Sequence, residues 1–215
     1  MTNYYTNVAA VGNNILYRGI KDGRRVKLKL AYTPTLFLQS NKNTKYKSLI
    51  GEALEPMKFE SMREARDFIK KYNEVENFKI YGQSRFEYAF IAEQHPGMID
   101  WKFDDVSIAI VDIEVGSENG FPDPYIAQEP ITAICLTFIN GETVVWGCGD
   151  YEIKGTEKYI KCSDETDLCK KFIAYWQENC PDVITGWNIK FFDMPYLINR
   201  FRKILGEDET KKLSP

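Results

Sequence analysis

The sequence is poor in the residues that build zinc sites and in the segments that cross membranes. It has one histidine, His95, and no two of its five cysteines stand in a C-x-x-C arrangement, so the ligand spacing of a zinc site is missing. The cysteines are therefore interpreted as reduced, buried thiols of a cytoplasmic protein, and His95 as a turn or surface residue. No run approaches the roughly eighteen apolar residues of a membrane span, and the polar start M-T-N-Y-Y is unlike a signal peptide, so no membrane partner is predicted.

Charge is divided unevenly along the chain. Residues 1–103 carry 17 Lys and Arg against 11 Asp and Glu, whereas the remaining residues carry 11 against 20. With 44% hydrophobic and 14% aromatic residues, the chain is globular and can bury a core. A basic front half beside an acidic back half indicates two modules, since a basic face attracts nucleic acid and clustered acids can hold metal.

The first half predicts a small α+β domain. Its predicted elements are strands over 4–9, 14–19 and 24–31, a polar loop over 41–47, a helix from the capping box at Ser61 to about Tyr72, a strand over 78–81 and a helix over 84–93. Alternation places Arg25, Lys27 and Lys29 on one face of the third strand. We interpret that face as solvated rather than phosphate-binding, because phosphate binding usually needs a denser basic footprint.

A β-branched run from Val106 to Val115 carries two carboxylates at its end. Because successive side chains of a strand point to opposite faces, Asp112 and Glu114 share one face with Ile110. A strand that is apolar on both faces is typical of the interior of a covered sheet. Two acids at its end must share a proton or meet a cation, and a divalent metal with oxygen ligands is the natural partner. An exposed D-x-E would instead be a solvated face.

The rest of the second half predicts strands and helices in a distinctive order. The predicted elements are strands over 131–138, 143–146 and 183–187, a helix capped by Ser163 before the last strand, and a final helix with Pro195 near its start and Gly206 at its end. The order strand–strand–strand–helix–strand–helix predicts a mixed sheet with helices against it, which is the ribonuclease-H-like plan. Asp193, at the start of the final helix, is either an N-cap or a third member of the acid group.

Two motifs in this half resemble a known family. D-I-E at 112–114 with G-F-P-D-P after it, and I-T-G-W-N-I-K-F-F-D-M-P-Y-L-I-N-R at 184–200, resemble the first two exonuclease motifs of family B DNA polymerases, in particular the replicative polymerases of T-even-type bacteriophages. The first half matches as well, through the hairpin, Y-T-P-T-L-F and the helix after Ser61. The seventeen-residue second motif is specific, whereas D-x-E alone is not.

The resemblance implies a fold and a site. It implies an α+β amino-terminal domain over residues 1–104 and, over 105–215, part of an α/β ribonuclease-H-like 3′–5′ exonuclease domain that is incomplete at its C-terminus. Asp112, Glu114 and Asp193 would be catalytic metal ligands for Mg²⁺ or Mn²⁺, with the two-metal site, ions about 4 Å apart, expected only in the complete domain. Asn188 and Phe121 would contact single-stranded DNA, or would be a loop-capping amide and a packed turn aromatic.

The resemblance also implies partners and a location. DNA is expected as a single-stranded 3′ end and as primer-template, with RNA as a further partner of the basic amino-terminal domain. A carboxy-terminal polymerase chain is expected if the gene is split. The expected location is the cytoplasm of the infected bacterial host.

The sequence departs from the family in one respect that matters for activity. The family's fourth acid lies in a Y-x-x-x-D helix well downstream of the second motif, and no such element follows Asp193 here; the palm aspartates are missing too. The chain is thus expected to be an inactive piece of a proofreading polymerase, from a split gene, a truncated gene or a shortened polypeptide. The alternative is a non-catalytic RNA- or DNA-binding module that uses the basic first domain. A free-standing nuclease is disfavoured because a missing ligand should cripple it.

Overall fold

The computed structural model describes residues 3–118 and 120–214. Contacts divide the chain into two units, Met1–Asp105 and Val106–Pro215. The first unit contains a three-stranded and a four-stranded antiparallel sheet, and the second contains a five-stranded mixed sheet. No helix in the described ranges has the length and apolar character needed to cross a membrane.

The first unit is built mainly of short strands. Its elements are β1 Tyr4–Val11, β2 Asn14–Lys21, β3 Arg24–Ala31, β4 Thr35–Gln39, β5 Tyr46–Lys47, β6 Ala53–Lys58, α1 Met62–Tyr72, β7 Ile80–Tyr81, α2 Phe86–Gln94 and a 3-10 turn Phe103–Asp105. The first three strands and both helices confirm the sequence prediction to within three residues at each end. Strands β4 and β6 were not predicted. The predicted loop 41–47 is wrong at its last two residues, which form β5.

The start of α1 shows how the local sequence sets a helix boundary. Ser61 is the N-cap, and its Oγ accepts a hydrogen bond from the Glu64 N–H at 3.2 Å. In turn, the Glu64 carboxylate accepts a hydrogen bond from the Glu60 N–H at 2.8 Å. In the standard capping box the donor would be the N–H of the N-cap residue, one position later. The helix then buries Met62 and Ala65 in the core of this unit.

The basic strand face remains exposed. Arg25, Lys27 and Lys29 on β3 are all exposed, and the Arg25 guanidinium donates a hydrogen bond to the backbone oxygen of Asp105. On the opposite face of the strand, Leu28 is 43% exposed. Exposure is compatible with a solvated face and with a phosphate-binding face, so the choice between them stays a prediction. One of the three cations is used in a contact inside the unit.

The second unit is organised by its mixed sheet. Its elements are β8 Ile108–Val115, β9 Ile131–Phe138, β10 Thr143–Gly147, β11 Lys158–Lys161, α3 Glu165–Asn179, β12 Val183–Thr185, α4 Asp193–Leu205, α5 Glu207–Thr210 and a 3-10 turn Lys211–Leu213. The strand order is β11-β10-β9-β8-β12, in which β8, β9 and β10 are antiparallel and the two outer strands pair in parallel. Strand β11 was not predicted.

The N-cap of α3 is one residue later than expected. Asp164 occupies the cap, and its side chain accepts a hydrogen bond from the Asp167 N–H at 2.8 Å. Ser163 instead donates its own backbone N–H to the Asp167 carboxylate at 3.0 Å. The prediction of Ser163 as the cap is therefore wrong. Asp is as good a cap as Ser, and here its negative charge also lies at the positive end of the helix dipole.

The sheet of the second unit buries one face, and helices α3 and α4 pack on it. Its core holds Val111, Leu136 and Trp146, all at most 1% exposed. Strand β8 is an interior strand as predicted, since it pairs with both β9 and β12. The prediction that the sheet is covered on both faces is wrong for the described residues, because Ile110 on the other face is 45% exposed. The apolar residues on both faces of β8 correctly predicted an interior strand, but they did not show that helices or loops would cover both faces of the sheet.

We expect the thiol of Cys169 to resist alkylation in the folded protein. Cys169 is fully buried in this core, and burial raises the pKa of its thiol to about 12. The neutral thiol therefore contributes stability that is present below its ordinary pKa near 9 and is lost as pH rises from there toward 12. At pH 8, mass spectrometry after iodoacetamide treatment should find Cys169 unmodified in buffer and modified in urea. Equal modification in both would contradict this burial.

Candidate functional site

Two of the predicted site residues lie on the open face of the second unit's sheet. Asp112 and Glu114 alternate with buried residues along β8, and both are exposed. The strand register places Asp112 opposite Cys135 and Glu114 opposite Ala133 on β9. The two carboxylates are therefore neighbours on one face, as the period of two along a strand requires.

Asp193 reaches the same strand from the start of α4. Strand β12 pairs with β8 only up to the partners Thr185 and Ile110. Beyond that point the chain leaves the sheet, and the Asp193 carboxylate hydrogen-bonds to the backbone N–H of Ile113. The carboxylate thus accepts from a backbone donor on the side of β8 where β12 has ended, and only 4% of the residue is exposed.

The charge of Asp112 acts on the Asp193 carboxyl. Burial raises the pKa of the Asp193 carboxyl, and the negative charge of Asp112 raises it further. Hydrogen bonds from its own backbone and from Ile113 act in the opposite direction but do not cancel the rise. A cation placed between Asp112 and Asp193 would relieve this repulsion, which is the electrostatic condition that favours a metal site.

Asp112 lies within electrostatic reach of Asp193, but the described residues do not form a complete metal cage. Across residues 3–118 and 120–214, no three His, Cys, Asp or Glu side chains are arranged so that they could hold one metal ion. The donor chemistry of the Asp112–Asp193 pair nevertheless suits Mg²⁺ or Mn²⁺, since these ions take carboxylate oxygens and keep several waters. The residues fit part of a divalent-metal site.

The interpretation of Asp193 as a plain N-cap is wrong. Phe192 holds the cap position and makes no side-chain capping bond, whereas Asp193 is the first residue of α4. Pro195 lies inside the first turn, where its missing N–H costs nothing. The Asp193 carboxylate accepts hydrogen bonds from the Ile113 N–H of β8 and from its own backbone.

Asn188 lies in the loop that leads from β12 to Asp193, and Phe121 lies in the loop that follows β8. Asn188 is exposed and has a backbone φ of 55°, a left-handed conformation that asparagine tolerates better than most residues. Its carbonyl accepts the N–H groups of Phe191 and Phe192 at 2.9 and 3.0 Å, which forms the turn into α4. Phe121 is 87% exposed, and its ring centroid lies 5.3 Å from that of Phe192. The interpretation of Phe121 as a packed turn aromatic is therefore wrong for most of its surface.

Two further exposed aromatic residues in the β12–α4 loop were not singled out from the sequence. Trp187 is 95% exposed and Phe191 is 64% exposed, and Lys190 Nζ lies 5.5 Å from the centroid of the Phe191 ring. Both rings are therefore open to solvent. The dense aromatic content of W-N-I-K-F-F just before the acid was the signal that could have identified them.

We expect Gly186→Ala to displace the loop that leads to Asp193. A Cβ at Gly186 would stand 2.6 Å from the backbone oxygen of Val111, next to Asp112, and backbone cannot move aside as a flexible side chain can. Gly149→Ala is the matched control, because a Cβ there meets no atom within 4 Å. Thermal melting should show Gly186→Ala destabilised by about 1–3 kcal/mol, as for overpacking, with the control unchanged. Equal melting temperatures would show that the close approach is not needed.

Comparisons with known proteins agree on one family. A family model described as DNA polymerase family B, exonuclease domain, matches residues 57–214. The DNA-directed DNA polymerase of Enterobacteria phage T4 is 32% identical over 243 aligned residues, which cover all of this chain and 27% of that protein. The corresponding polymerase of Escherichia phage RB69 is 29% identical over 245 residues, with the same shares. The DNA polymerase catalytic subunit of equine herpesvirus 2 is 33% identical over 119 residues, 52% of this chain and 12% of that protein. The chain thus spans about a quarter of the length of the phage polymerases.

Proposed function

This chain belongs to DNA polymerase family B, through the exonuclease domain of that family, and from this membership we propose that it is the amino-terminal part of a phage replicative DNA polymerase. In this proposal, residues 1–104 form the amino-terminal domain. Residues 105–215 form part of a ribonuclease-H-like domain for 3′–5′ proofreading. The observation that supports the proposal is that the two family motifs supply Asp112 and Asp193, and that the charge of Asp112 acts on the buried Asp193 carboxyl and raises its pKa.

The proposed ligands are Asp112, Glu114 and Asp193, and exonuclease domains of family B generally depend on divalent metal. In the complete domain, Asp112, Glu114 and Asp193 would hold Mg²⁺ or Mn²⁺, which would supply an activated water and stabilise the leaving oxygen during attack on the phosphate. Asp112 and Asp193 provide the negative charge that the cations require. The hydrogen bond from the Ile113 N–H holds the Asp193 carboxylate in one orientation, which reduces the cost of ordering it on binding.

The proposed substrate is the single-stranded 3′ end of DNA. Exposed aromatic rings bind single strands by stacking on bases, at about 1–3 kcal/mol per base. Phe121 has an exposed ring that lies against Phe192, the residue before Asp193, and Asn188 is exposed in the loop that leads to Asp193. We propose these two residues as DNA contacts, with Trp187 as a further candidate. The matches described above give no support to a non-catalytic binding module, to RNA as a partner or to a split gene.

The proposed metal site predicts weak Mn²⁺ binding that depends on the acid pair. Electron paramagnetic resonance of free Mn²⁺ should show binding by the 215-residue chain that Asp112→Asn and Asp193→Asn each reduce at least about tenfold, since each removes a charged ligand. Binding should weaken as pH falls, because the raised pKa of Asp193 lets protons compete with the metal at higher pH than for an ordinary carboxyl.

The control for this measurement is Glu178→Gln. Glu178 is an exposed residue of α3 in the same unit, so the substitution removes the same charge from a residue outside the proposed site. Unchanged Mn²⁺ binding in both aspartate variants would show that the proposed metal site is wrong. Loss of binding in the Glu178→Gln control as well would show that net charge, not the acid pair, attracts the ion.

A further inference from the structure

The loop between β8 and β9 is held in a defined shape although it carries exposed rings. The described part that follows Asn119, residues 120–130, is called the site loop here. The Gly116 N–H donates to the Pro130 oxygen at 2.9 Å and closes the base of the connection. The site loop exposes Phe121 by 87% and Tyr125 by 73%, while Ala127 within it is fully buried. The buried Ala127 indicates that the site loop packs onto the unit instead of extending into solvent.

Three side chains on one face of α4 hold the site loop. Tyr196, Asn199 and Arg200 are spaced i, i+3 and i+4, so they project from the same side of the helix. Each donates a hydrogen bond to a loop carbonyl: Tyr196 Oη to Glu129 at 2.7 Å, Asn199 Nδ2 to Pro124 at 3.0 Å, and Arg200 Nη1 to Gln128 at 2.5 Å. The helix that begins with Asp193 is therefore also the support of the site loop.

Arg200 is itself fixed by a largely buried ion pair with Glu165, the first residue of α3. Its Nε and Nη2 donate to the two Glu165 oxygens at 2.7 and 2.6 Å, a bidentate arrangement. The two side chains are 13% and 14% exposed, so solvent screens the pair little. Glu165 Oε1 also accepts the Ile131 N–H at 2.7 Å, where β9 begins. One ion pair thus links both helices, the site loop and the next strand.

We propose that Arg200 and Glu165 are positioning residues for single-stranded DNA, which hold the site loop so that its exposed rings stand beside the acid pair. The inference rests on the proposed function and names residues that lie outside the acid and aromatic groups already described. Phe121 lies against Phe192, the residue before Asp193, at 5.3 Å between ring centroids. The site loop is therefore placed relative to the acid by ring contact at its start and by Arg200 further along it.

Preorganisation of the site loop explains how Arg200 and Glu165 would strengthen DNA binding. A ring on a loosely held loop must be ordered when DNA binds, and that entropy cost is subtracted from the stacking energy. Removing Arg200 leaves the largely buried Glu165 carboxylate without its cation and removes the hydrogen bond that ties the Gln128 carbonyl to α4. The loop would then sample other positions, and DNA binding would weaken although no group that touches DNA has changed.

The first test measures DNA affinity in the 215-residue chain. Fluorescence anisotropy of a fluorescein-labelled oligothymidylate, without Mg²⁺ so that the DNA stays intact, should show about tenfold weaker binding for Arg200→Met, the scale of a lost preorganised contact. Lys203→Met is the control, since Lys203 is an exposed cation of the same helix. Equal weakening by both variants would show attraction by positive charge instead of positioning and would overturn the inference.

The second test separates positioning from general stability. Phe121→Ala should weaken DNA binding several-fold in the wild-type chain but only slightly in the Arg200→Met background, because the unanchored ring no longer contributes; a double-mutant cycle measures this coupling. Additive effects would overturn the inference. If Arg200→Met does not fold, Glu165→Gln serves in the same cycle, since its amide oxygen can still accept the Ile131 N–H while the ion pair is lost.

Hydrogen exchange distinguishes failure of this inference from failure of the proposed function. Arg200→Met should speed amide exchange in the site loop, and Lys203→Met should not. Faster exchange with unchanged DNA affinity would overturn the positioning role while the nuclease proposal stands. A wild-type chain that binds no DNA at any concentration up to about 1 mM, the weak end of specific affinities, would overturn both. Unchanged exchange would overturn the anchor itself.

Discussion

The 215-residue chain, purified by itself, is expected to remove nucleotides from a 3′-labelled single-stranded oligonucleotide in Mg²⁺ no faster than a buffer blank. Two-metal catalysis needs enough ligands to hold both ions against their preference for water. Asp112, Glu114 and Asp193 are three of the four acids that the family resemblance implies. Losing one member of a cooperating catalytic set removes most of the rate, and the losses are not additive.

A polypeptide that supplies the fourth acid, added separately, is expected to restore digestion of the oligonucleotide. Asp112→Ala should then remove the restored activity by on the order of 10⁴-fold, the scale seen when one member of a catalytic set is deleted. Glu178→Ala, which removes an exposed acid from α3, should leave the restored rate unchanged. If the chain alone digests the oligonucleotide at a rate that falls with Asp112→Ala, it is a complete nuclease and the fragment proposal is wrong.

Trp146→Ala is expected to destabilise the second unit by about 3–5 kcal/mol, the cost of truncating a large core aromatic. Trp146 is fully buried on β10, and its ring packs edge-on against Phe172 and Tyr175 of α3 at 5.1 Å between centroids in both cases. The substitution leaves a cavity between the sheet and α3 that the surrounding strands cannot fill. Urea unfolding followed by circular dichroism measures the change in the free energy of unfolding.

Two other tryptophan substitutions serve as controls for the Trp146→Ala prediction. The Trp146 Nε1–H is buried and has no hydrogen-bond partner among the described residues, so Trp146→Phe removes an unsatisfied donor as well as volume. We expect it to cost about 1–2 kcal/mol, well below the alanine variant. Trp187→Ala, at a residue 95% exposed in the same unit, should change stability by no more than about 0.5 kcal/mol. Similar losses for Trp146→Ala and Trp187→Ala would contradict the packing described here.

Several features could be predicted from the sequence because their causes are local. The N-cap at Ser61 depends on residues three positions apart, and the shared face of Asp112 and Glu114 depends only on the period of a strand. Strands β4 and β6 could not be predicted in this way, because β6 contains a proline and each is stabilised mainly by pairing with the other. Strand β11 could not be predicted either, because it forms by pairing with β10 at the edge of the sheet and this pairing is not visible in the local sequence.

The sequence by itself determined the family, the order of most elements of the second unit and the identity of the candidate acids. Only the tertiary structure decided which of them meet. The Asp193 carboxylate reaches the Ile113 N–H because β12 ends early, and Arg200 meets Glu165 although 35 residues separate them. The open face above Asp112 was likewise a property of the assembled sheet. A local sequence pattern determines which face of a strand or helix a side chain occupies, but not which residues pack against that face. Contacts between distant residues depend on the tertiary arrangement of the elements, which no spacing along the sequence specifies.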